Sequence, residues 1–222
     1  ISGTRADFGL ETPLLKAIER SQVLDLQLFV TGMHLMPKFG ETLNLVKEKF
    51  PNVGIINIRF DEDSREGMAT FAAKFMEGVV SEFKKNKPDL VLVHGDRIEM
   101  LCTALVALYM GLPIIHIQGG DKTSTVDDAA RHAITKLSHL HFPATKESAK
   151  RIRLMGEEDW RIHTVGTMGV DALLRVKTLS RQELFKKLNL QFSSKVILVL
   201  QHSVSEAVRE SGRQMQNTIK AV

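Results

Sequence analysis

The sequence predicts an α/β protein in which a parallel β-sheet carries helices on both faces. Short apolar runs alternate with amphipathic stretches of helical period along most of the 222 residues. No repeat or low-complexity tract interrupts this alternation. Polar loops that carry carboxylates directly follow two of the apolar runs. Strands separated by helices need right-handed crossovers, which produce a parallel, Rossmann-like sheet.

Six apolar runs have the length and the flanking turn residues of buried strands. The candidate strands are Leu26–Val30, Val53–Ile58, Leu90–His94, Ile114–Ile117, His139–Phe142 and Ile162–Val165. The amphipathic segments around them predict six helices. These helices are Leu10–Arg20, Thr42–Lys49, Glu66–Lys85, Arg97–Met110, Asp127–Ser138 and Lys146–Met155.

The pattern predicts one domain and the beginning of another. Residues 1–180 form an N-terminal Rossmann-like domain, and residues 181–194, with the helical piece RQELFKKL, form a linker. Residues 195–222 open a truncated C-terminal Rossmann-like domain with a strand at Lys195–Leu200. The chain starts with ISGTRADFG, which has the composition of a turn after a strand. We therefore expect the first strand and most of the second domain to be missing from this chain.

Composition and charge argue against several classes of protein. The formal net charge of +4 is spread along the chain, and the few aromatic residues do not alternate with basic ones, so nucleic-acid binding is not expected. No apolar run approaches the roughly 20 residues that span a bilayer, and no signal-peptide pattern opens the chain. We expect a cytoplasmic protein without membrane contact. Cys102, the single cysteine, lies among apolar helix residues and is interpreted as a buried hydrophobic side chain.

Two central strands are each followed by a loop with a polar side chain. Asp96 follows the run that ends at His94, and Gln118 follows the run that ends at Ile117. Loops at the carboxyl ends of adjacent parallel strands meet in one crevice, where small anionic ligands bind. Asp96 could equally be the N-cap of the next helix. A catalytic role is favoured if the two strands are neighbours.

The helix after the second loop carries a cluster of titratable residues. Asp127 lies in its first turn, and Arg131 and His132 follow on neighbouring turns. An acidic residue at a helix start also complements the helix dipole, but this explains only part of the DDxxRH group. We therefore expect a site role for at least one of the three residues. His139 and His141 are interpreted as core residues, and no set of side chains has the spacing of a metal site.

The first turn of the chain has the composition of an anion-binding loop. Ser2, Gly3 and Thr4 precede a helix, whose first backbone N–H groups bind anions, and the Arg5 guanidinium matches a phosphate in a bidentate manner. Glycine at such a turn also occurs solely for its backbone freedom. A diphosphate cradle and a plain turn both stay open at this point.

Several segments together resemble the UDP-N-acetylglucosamine 2-epimerase family, and within it the hydrolysing branch that forms N-acetylmannosamine for sialic acid synthesis. The segments are SGTRADFGL, GMHL, HGDRIEM, the Gly-Gly-Asp loop, DDxxRHAITKLSHLHF and QHSV, in family order over essentially the whole chain. The resemblance implies two Rossmann-like domains in a GT-B-like arrangement, with the nucleotide sugar between them. It also implies a homodimer, for which the helix Cys102–Met110 is a candidate contact and an equally good core segment.

The resemblance further implies a reaction and the residues that perform it. Family members remove the proton on sugar C2 and break the C1–O bond, which releases UDP and gives a 2-acetamidoglucal, and hydrolysing members then add water. By position, the catalytic residues are Asp96, Gln118, Asp127, Arg131 and His132. The residues that bind the UDP-sugar are Gly3, Arg5, His34, Asp121, Lys136 and His202. No cofactor and no metal are implied.

Gln118 departs from the family pattern, in which a carboxylate follows His-Ile. An amide does not take up a proton, and the loss of one acid or base group costs about 10²–10⁴ in rate. Three functions therefore stay open. The first is a hydrolysing UDP-N-acetylglucosamine 2-epimerase that works with Asp96 and Asp127, or with Asp121 in place of Gln118. The others are a non-hydrolysing or diacetamido-sugar 2-epimerase, and a catalytically impaired protein that binds UDP-sugars.

Overall fold

The computed structural model describes residues 1–62, 64–123, 126–192, 195–201 and 210–222. These residues divide into two compact units, Ile1–Val176 and Lys177–Val222. The division lies close to the predicted domain boundary at residue 180. That the second unit opens another Rossmann-like domain stays a prediction.

All strands of the described residues lie in the first unit and pair in parallel. They are β1 (Phe29–Val30), β2 (Gly54–Ile55), β3 (Val91–His94), β4 (Ile114–Ile117) and β5 (Leu140–Phe142). The strands form a sheet in the order β1-β2 and a sheet in the order β3-β4-β5. Single bridges join Ser2 to Val30 and His141 to Ile162. The predicted α/β class with parallel pairing is confirmed.

Four predicted strands differ from the observed ones. Leu26–Val30 and Val53–Ile58 pair over only two residues each, and Ile162–Val165 contributes a single bridge. The run Lys195–Leu200 forms no strand, and Leu198 within it is 90% exposed. Apolar character favours a strand, but a strand exists only where a neighbouring backbone supplies hydrogen bonds. The described part of the chain supplies no such neighbour to this run.

The six predicted helices form, and most of their ends lie within one residue of the prediction. The helices are α1 (Arg5–Glu19), α2 (Leu43–Lys49), α3 (Arg65–Asn86), α4 (Ile98–Tyr109), α5 (Val126–Leu137), α6 (Lys146–Leu154), α7 (Met168–Leu174), α8 (Arg181–Lys187) and α9 (Ser211–Ala221). α1 begins earlier than predicted because Thr4 Oγ1 accepts from the Asp7 backbone N–H at 3.2 Å and caps the helix. Among the helices of the described residues, none combines the length and the apolar character that crossing a membrane requires.

The core of the first unit consists of two large apolar clusters and a small one of Ala149, Ile152 and Ile162. α3 contributes a stripe with a spacing of four residues, which places its members on one helix face. The stripe consists of Phe71, Phe75, Val79 and Phe83. It packs with residues of β3 and α4, among them Val91, Val93 and Met100. The second cluster joins α1 to β1 and α2 through residues such as Phe8 and Val46.

Cys102 lies inside α4 and is buried, as predicted. Burial raises the pKa of the Cys102 thiol to about 11, so this side chain is an uncharged part of the core at neutral pH. Most of α4 faces the core in the same way, while Tyr109 at its end is exposed. The core interpretation of the helix Cys102–Met110 is supported, and the homodimer stays a prediction.

His116 connects β4 to its neighbours on both sides. The ring is fully buried, with Nε2 2.8 Å from the Gly95 carbonyl and Nδ1 3.1 Å from Thr135 Oγ1. Burial lowers the pKa of His116 to about 3, so the ring is neutral at physiological pH. A carbonyl only accepts, so Nε2 carries the proton of the neutral ring, and Nδ1 is the unprotonated nitrogen that faces Thr135 Oγ1. A neutral histidine therefore ties the loop after β3 to β4 and α5.

We expect Gly120→Ala to destabilise the protein by about 1–3 kcal/mol more than Gly111→Ala does. Gly120 has a φ of 79°, and a Cβ there would lie 2.4 Å from the Ser148 carbonyl oxygen and 2.8 Å from Ile152 of α6. Gly111 has a φ of 70° but no atom within 4 Å of its Cβ position, so alanine there adds backbone strain alone. Urea unfolding measures the difference. Equal losses would contradict a tight contact between this loop and α6.

We also expect the free energy of unfolding to fall as the pH drops from 6.5 towards 3, in part because of His116. Over this range the unfolded chain binds a proton at the ring and the folded chain does not, so acid favours unfolding. A His116→Gln variant should show a shallower decline over the same range. Urea unfolding at several pH values tests this, with His163→Gln at an exposed position as the control. Identical slopes for wild type and His116→Gln would contradict the prediction.

Candidate active site

β3 and β4 end side by side, which places their loops at the same edge of the sheet. His94, the last residue of β3, pairs with Ile117, the last residue of β4. The Gly95 backbone N–H donates to the Ile117 carbonyl at 3.0 Å. Asp96 and Gln118 follow directly in the two loops. The strands are therefore neighbours, and both polar residues leave the sheet at its carboxyl edge.

An ion pair joins Asp96 to Arg131 of α5. Arg131 Nη2 donates to Asp96 Oδ2, and Arg131 is only 8% exposed. The Arg131 Nε atom is buried without a hydrogen-bond partner among the described residues. α4 begins at Ile98 with Arg97 as its N-cap residue, so Asp96 is not the helix cap. These contacts favour a site role for both members of the pair.

The side chain of Gln118 connects three elements of the fold. Its Nε2 group donates to Oγ1 of Thr167, the N-cap residue of α7, at 2.7 Å. Its Oε1 atom contacts Nε2 of His94 at the end of β3. On the other side of the ring, His94 Nδ1 lies 3.2 Å from Oε1 of Glu11 in α1. We call Glu11, His94, Gln118 and Thr167 the His94 network.

The partners of His94 favour its protonated form. Burial lowers the pKa of His94, but the hydrogen bond to Glu11 and the charge of Glu11 act in the opposite direction. Gln118 and Asp7 add smaller contributions that also raise it. The sum raises the pKa of His94 above its usual value. His94, at the carboxyl edge of the sheet, therefore stays protonated to a higher pH than an ordinary histidine does.

Sequence reasoning missed three members of the His94 network: Glu11, Thr167 and His94, which it treated only as the end of a strand. Glu11 lies between Phe8 and Leu15 in the buried stripe of α1. A carboxylate at a position of helical apolar period is the signal that indicates a buried partner. Thr167 had no comparable signal, because its role as the cap of α7 depends on a helix that was not predicted.

The N-terminal turn is held by close contacts. Thr4 caps α1, and a Cβ on Gly3 would lie 2.5 Å from Oε1 of Glu99 in α4. Glu99 is fully buried and contacts Arg97 at 3.1 Å. This close approach requires glycine at position 3. Arg5 is exposed in the first turn of α1, and the diphosphate cradle stays a prediction.

His34, which was predicted to bind the UDP-sugar, lies inside the fold. The side chain is fully buried. Its Nε2 atom lies 3.2 Å from Ser2 Oγ, and its Nδ1 atom lies 2.8 Å from Thr42 Oγ1. Both ring nitrogens are thus engaged within the protein, and His34 supports the N-terminal turn in this structure.

Lys136 lies in the last turn of α5, about 15 Å along the helix from its first turn. It contacts Glu157 and donates to the Met155 carbonyl at 3.2 Å. α5 runs from the carboxyl edge of β4 to the amino end of β5, so the structure does not bring Lys136 together with Asp96. His141 is a buried core residue beside Glu157, as predicted, whereas His139 is exposed.

Three of the remaining predicted residues, Asp121, Asp127 and His132, lie in the loop between β4 and α5 or in α5 itself. Asp127 is in the first turn of α5, one turn before Arg131. His132 follows, with a buried Nδ1 that has no hydrogen-bond partner in the part of the chain that the structure describes. Asp121 accepts a hydrogen bond from Ser148 of α6. His202 lies outside the described residues.

Two depressions on the surface lie away from this group. One, of about 490 Å³, is lined by residues that follow β1 and β2, and another, of about 660 Å³, lies near the amino ends of the same strands. Asp96, Gln118 and Arg131 line neither of these two depressions. Within the described ranges, no group of three or more His, Cys, Asp or Glu side chains could hold a metal ion.

The chain matches known proteins over most of its length. The sequence model of the UDP-N-acetylglucosamine 2-epimerase family matches residues 16–222. A UDP-N,N'-diacetylbacillosamine 2-epimerase (hydrolyzing) of Legionella pneumophila is 37% identical over 222 residues, which are 100% of this chain and 59% of that protein. A GDP/UDP-N,N'-diacetylbacillosamine 2-epimerase (hydrolyzing) of Campylobacter jejuni is 31% identical over 221 residues, 99% of this chain and 58% of that protein. The chain therefore spans less than two thirds of these relatives.

The fold is shared with solved epimerase structures. The UDP-GlcNAc 2-epimerase from Neisseria meningitidis, solved with UDP-GlcNAc bound, superposes with a TM-score of 0.68 over 85% of this chain and 50% of that chain, at 22% identity. At this identity the likeness establishes the fold alone. Family membership rests instead on the sequence match over residues 16–222. The chain belongs to the UDP-N-acetylglucosamine 2-epimerase family.

Proposed function

We propose that this protein is a hydrolysing 2-epimerase that acts on a UDP-linked 2-acetamido sugar. The observation that carries the proposal is the Asp96–Arg131 ion pair, beside Gln118, at the carboxyl edge of two adjacent parallel strands. The chemistry needs an acid or base, a cation near the leaving phosphate, and hydrogen-bonding groups in one place. This edge offers all three. Family membership supports the same activity.

The reaction begins with an elimination. A carboxylate removes the proton from sugar C2 while the C1–O bond breaks, so UDP leaves with the electron pair of that bond and a 2-acetamidoglucal remains. Water then adds across the C1–C2 double bond. The hydroxyl group joins C1, and a proton returns to C2 from the opposite face. The free sugar therefore has the inverted configuration at C2.

The charge of each group suggests its role. Asp96 and Asp127 act as the acid and the base of the two steps. Arg131, which contacts Asp96, and Arg5, exposed at the start of α1, stabilise the charge that develops on the leaving diphosphate. Backbone N–H groups in the first turn of α1 suit the same diphosphate. Gln118 forms hydrogen bonds without taking up a proton.

Two substrates are candidates. UDP-N-acetylglucosamine follows from the description of the family, and its product would be N-acetylmannosamine. UDP-N,N'-diacetylbacillosamine is favoured by the names of the relatives that are 37% and 31% identical, both of which include hydrolysis. The two sugars share the 2-acetamido group next to the reacting bonds. The same set of side chains would therefore serve either substrate.

We expect the full-length protein to release UDP and a free sugar from at least one of these substrates. NMR of the reaction mixture identifies the product, and deuterium taken up at C2 from heavy water reports the proton transfer. A non-hydrolysing epimerase would give an interconverted UDP-sugar with no free sugar. Binding of the UDP-sugar without any product at high enzyme concentration would contradict the proposal and would indicate a catalytically silent binding protein.

We expect Asp96→Asn to lower kcat by about 10²–10⁴, because an amide neither gives nor takes up a proton at neutral pH. The affinity for UDP should change much less. The matched control is Asp89→Asn, at an exposed position just before β3 and at the opposite end of that strand. Thermal melts check that the Asp96→Asn protein is folded, since this substitution also weakens the contact with Arg131. Full activity of a folded Asp96→Asn protein would refute the assigned role.

A further inference from the structure

Glu11 is a buried acidic residue that the proposed reaction does not use directly. It is 4% exposed and belongs to the stripe of α1 that faces the core. A carboxylate in such surroundings needs a partner, because an unpaired buried charge is very costly. The Nδ1 atom of His94, 3.2 Å from Glu11 Oε1, is that partner.

Both ring nitrogens of His94 face oxygen atoms, an arrangement that fits a ring with a proton on each nitrogen. Glu11 Oε1 accepts at Nδ1, and Gln118 Oε1 accepts at Nε2. On its other side the Gln118 amide nitrogen donates to Thr167 Oγ1 at 2.7 Å, which is compatible with Oε1 facing the ring. A ring that donates twice is an imidazolium. The reversed amide would require a neutral ring, so the charge of His94 and the orientation of Gln118 are linked.

Other titratable groups face His94 from the surrounding elements. Asp7, one turn before Glu11 on α1, adds a second and weaker negative charge. His116 on β4 is buried and neutral, and therefore adds no charge at physiological pH. The carboxylate of Asp96 is already engaged in its ion pair. The charge of Glu11 is the one in direct contact with the ring.

We propose that Glu11 is a positioning residue of the active site, which keeps His94 protonated and thereby fixes the carboxamide of Gln118 at the end of β4. The inference rests on the proposed function, since that reaction is what needs Gln118 in one orientation. Glu11 acts through His94 and Gln118 and does not contact the sugar. Glu11 on α1 provides His94 with a negative charge, which the neutral amide of Gln118 after β4 cannot provide.

The test moves a carboxylate from one side of His94 to the other in the full-length protein. Glu11→Gln removes the charge with little change in shape. The double variant Glu11→Gln/Gln118→Glu places a carboxylate at the other ring nitrogen. Glu19→Gln, at an exposed position of the same helix, is the matched control. NMR titration of the imidazole signals, assigned with a His94→Gln variant, gives the pKa of His94, and the pH dependence of kcat is measured in parallel.

We expect Glu11→Gln to lower the pKa of His94 by about one pH unit or more, and to move one limb of the pH profile of kcat towards lower pH by a similar amount. The double variant should recover most of both changes. Glu19→Gln should behave as wild type. A merely structural Glu11 would give no recovery, because the second substitution restores the charge and leaves the packing at position 11 unchanged.

Two results would overturn the inference. The first is a His94 pKa in the wild-type protein below the ordinary value of 6.5, which needs no variant to observe. The second is an unchanged His94 pKa and pH profile in a folded Glu11→Gln protein. Failure of the proposed function looks different. In that case the wild-type protein releases no UDP from either sugar, while Glu11→Gln still lowers the pKa of His94. The electrostatic link between Glu11 and His94 would then hold without the proposed activity.

Discussion

The in-register parallel pairing of β3 and β4 is the constraint on which the candidate site depends. Because His94 and Ile117 are paired, both strands end at the same level and their loops leave from one edge. The hydrogen bond from Gly95 to the Ile117 carbonyl continues the pairing into the first loop. A shift of one residue would carry Asp96 away from Gln118 and would turn alternate side chains to the other face of the sheet. The register of β3 and β4 therefore decides whether Asp96 and Gln118 lie at the same site.

Two buried histidines at this edge differ in their preferred charge because their partners differ. His116 contacts a carbonyl and a hydroxyl group, and burial lowers its pKa to about 3. His94 is also desolvated, but the Glu11 carboxylate lies at one of its nitrogens, and its pKa is raised. The neutral ring holds the strands and loops together, and the charged ring lies next to Gln118. Adjacent strands thus carry two histidines with different roles.

The sequence predicted those features that depend on local pattern or on the ends of strands. The boundaries of β3, β4, α3 and α4 follow from apolar periodicity, and Asp96 and Gln118 follow from the position of loops in a parallel sheet. The extent of β1 and β2 did not follow, because it depends on which backbone groups find partners. Lys136 was assigned to the UDP-sugar site through the family resemblance, although it lies in the last turn of α5, at the end of the helix away from the carboxyl edge of β4. Periodicity gives the face of a helix and not the end that reaches a site.

Charge balance around His94 gives a physical reason for an amide at position 118, if Glu11 holds the ring protonated as proposed. With Glu11 and Gln118, one carboxylate faces one imidazolium, and the buried contacts have no net charge. A carboxylate at both positions would place two negative charges around one positive ring in largely buried surroundings, which raises the cost of keeping all three groups ionised. A carboxylate at position 118 with a neutral residue at position 11 would restore the balance. Positions 11 and 118, on α1 and at the end of β4, are therefore coupled through His94, and the identity of either residue is best understood from the other.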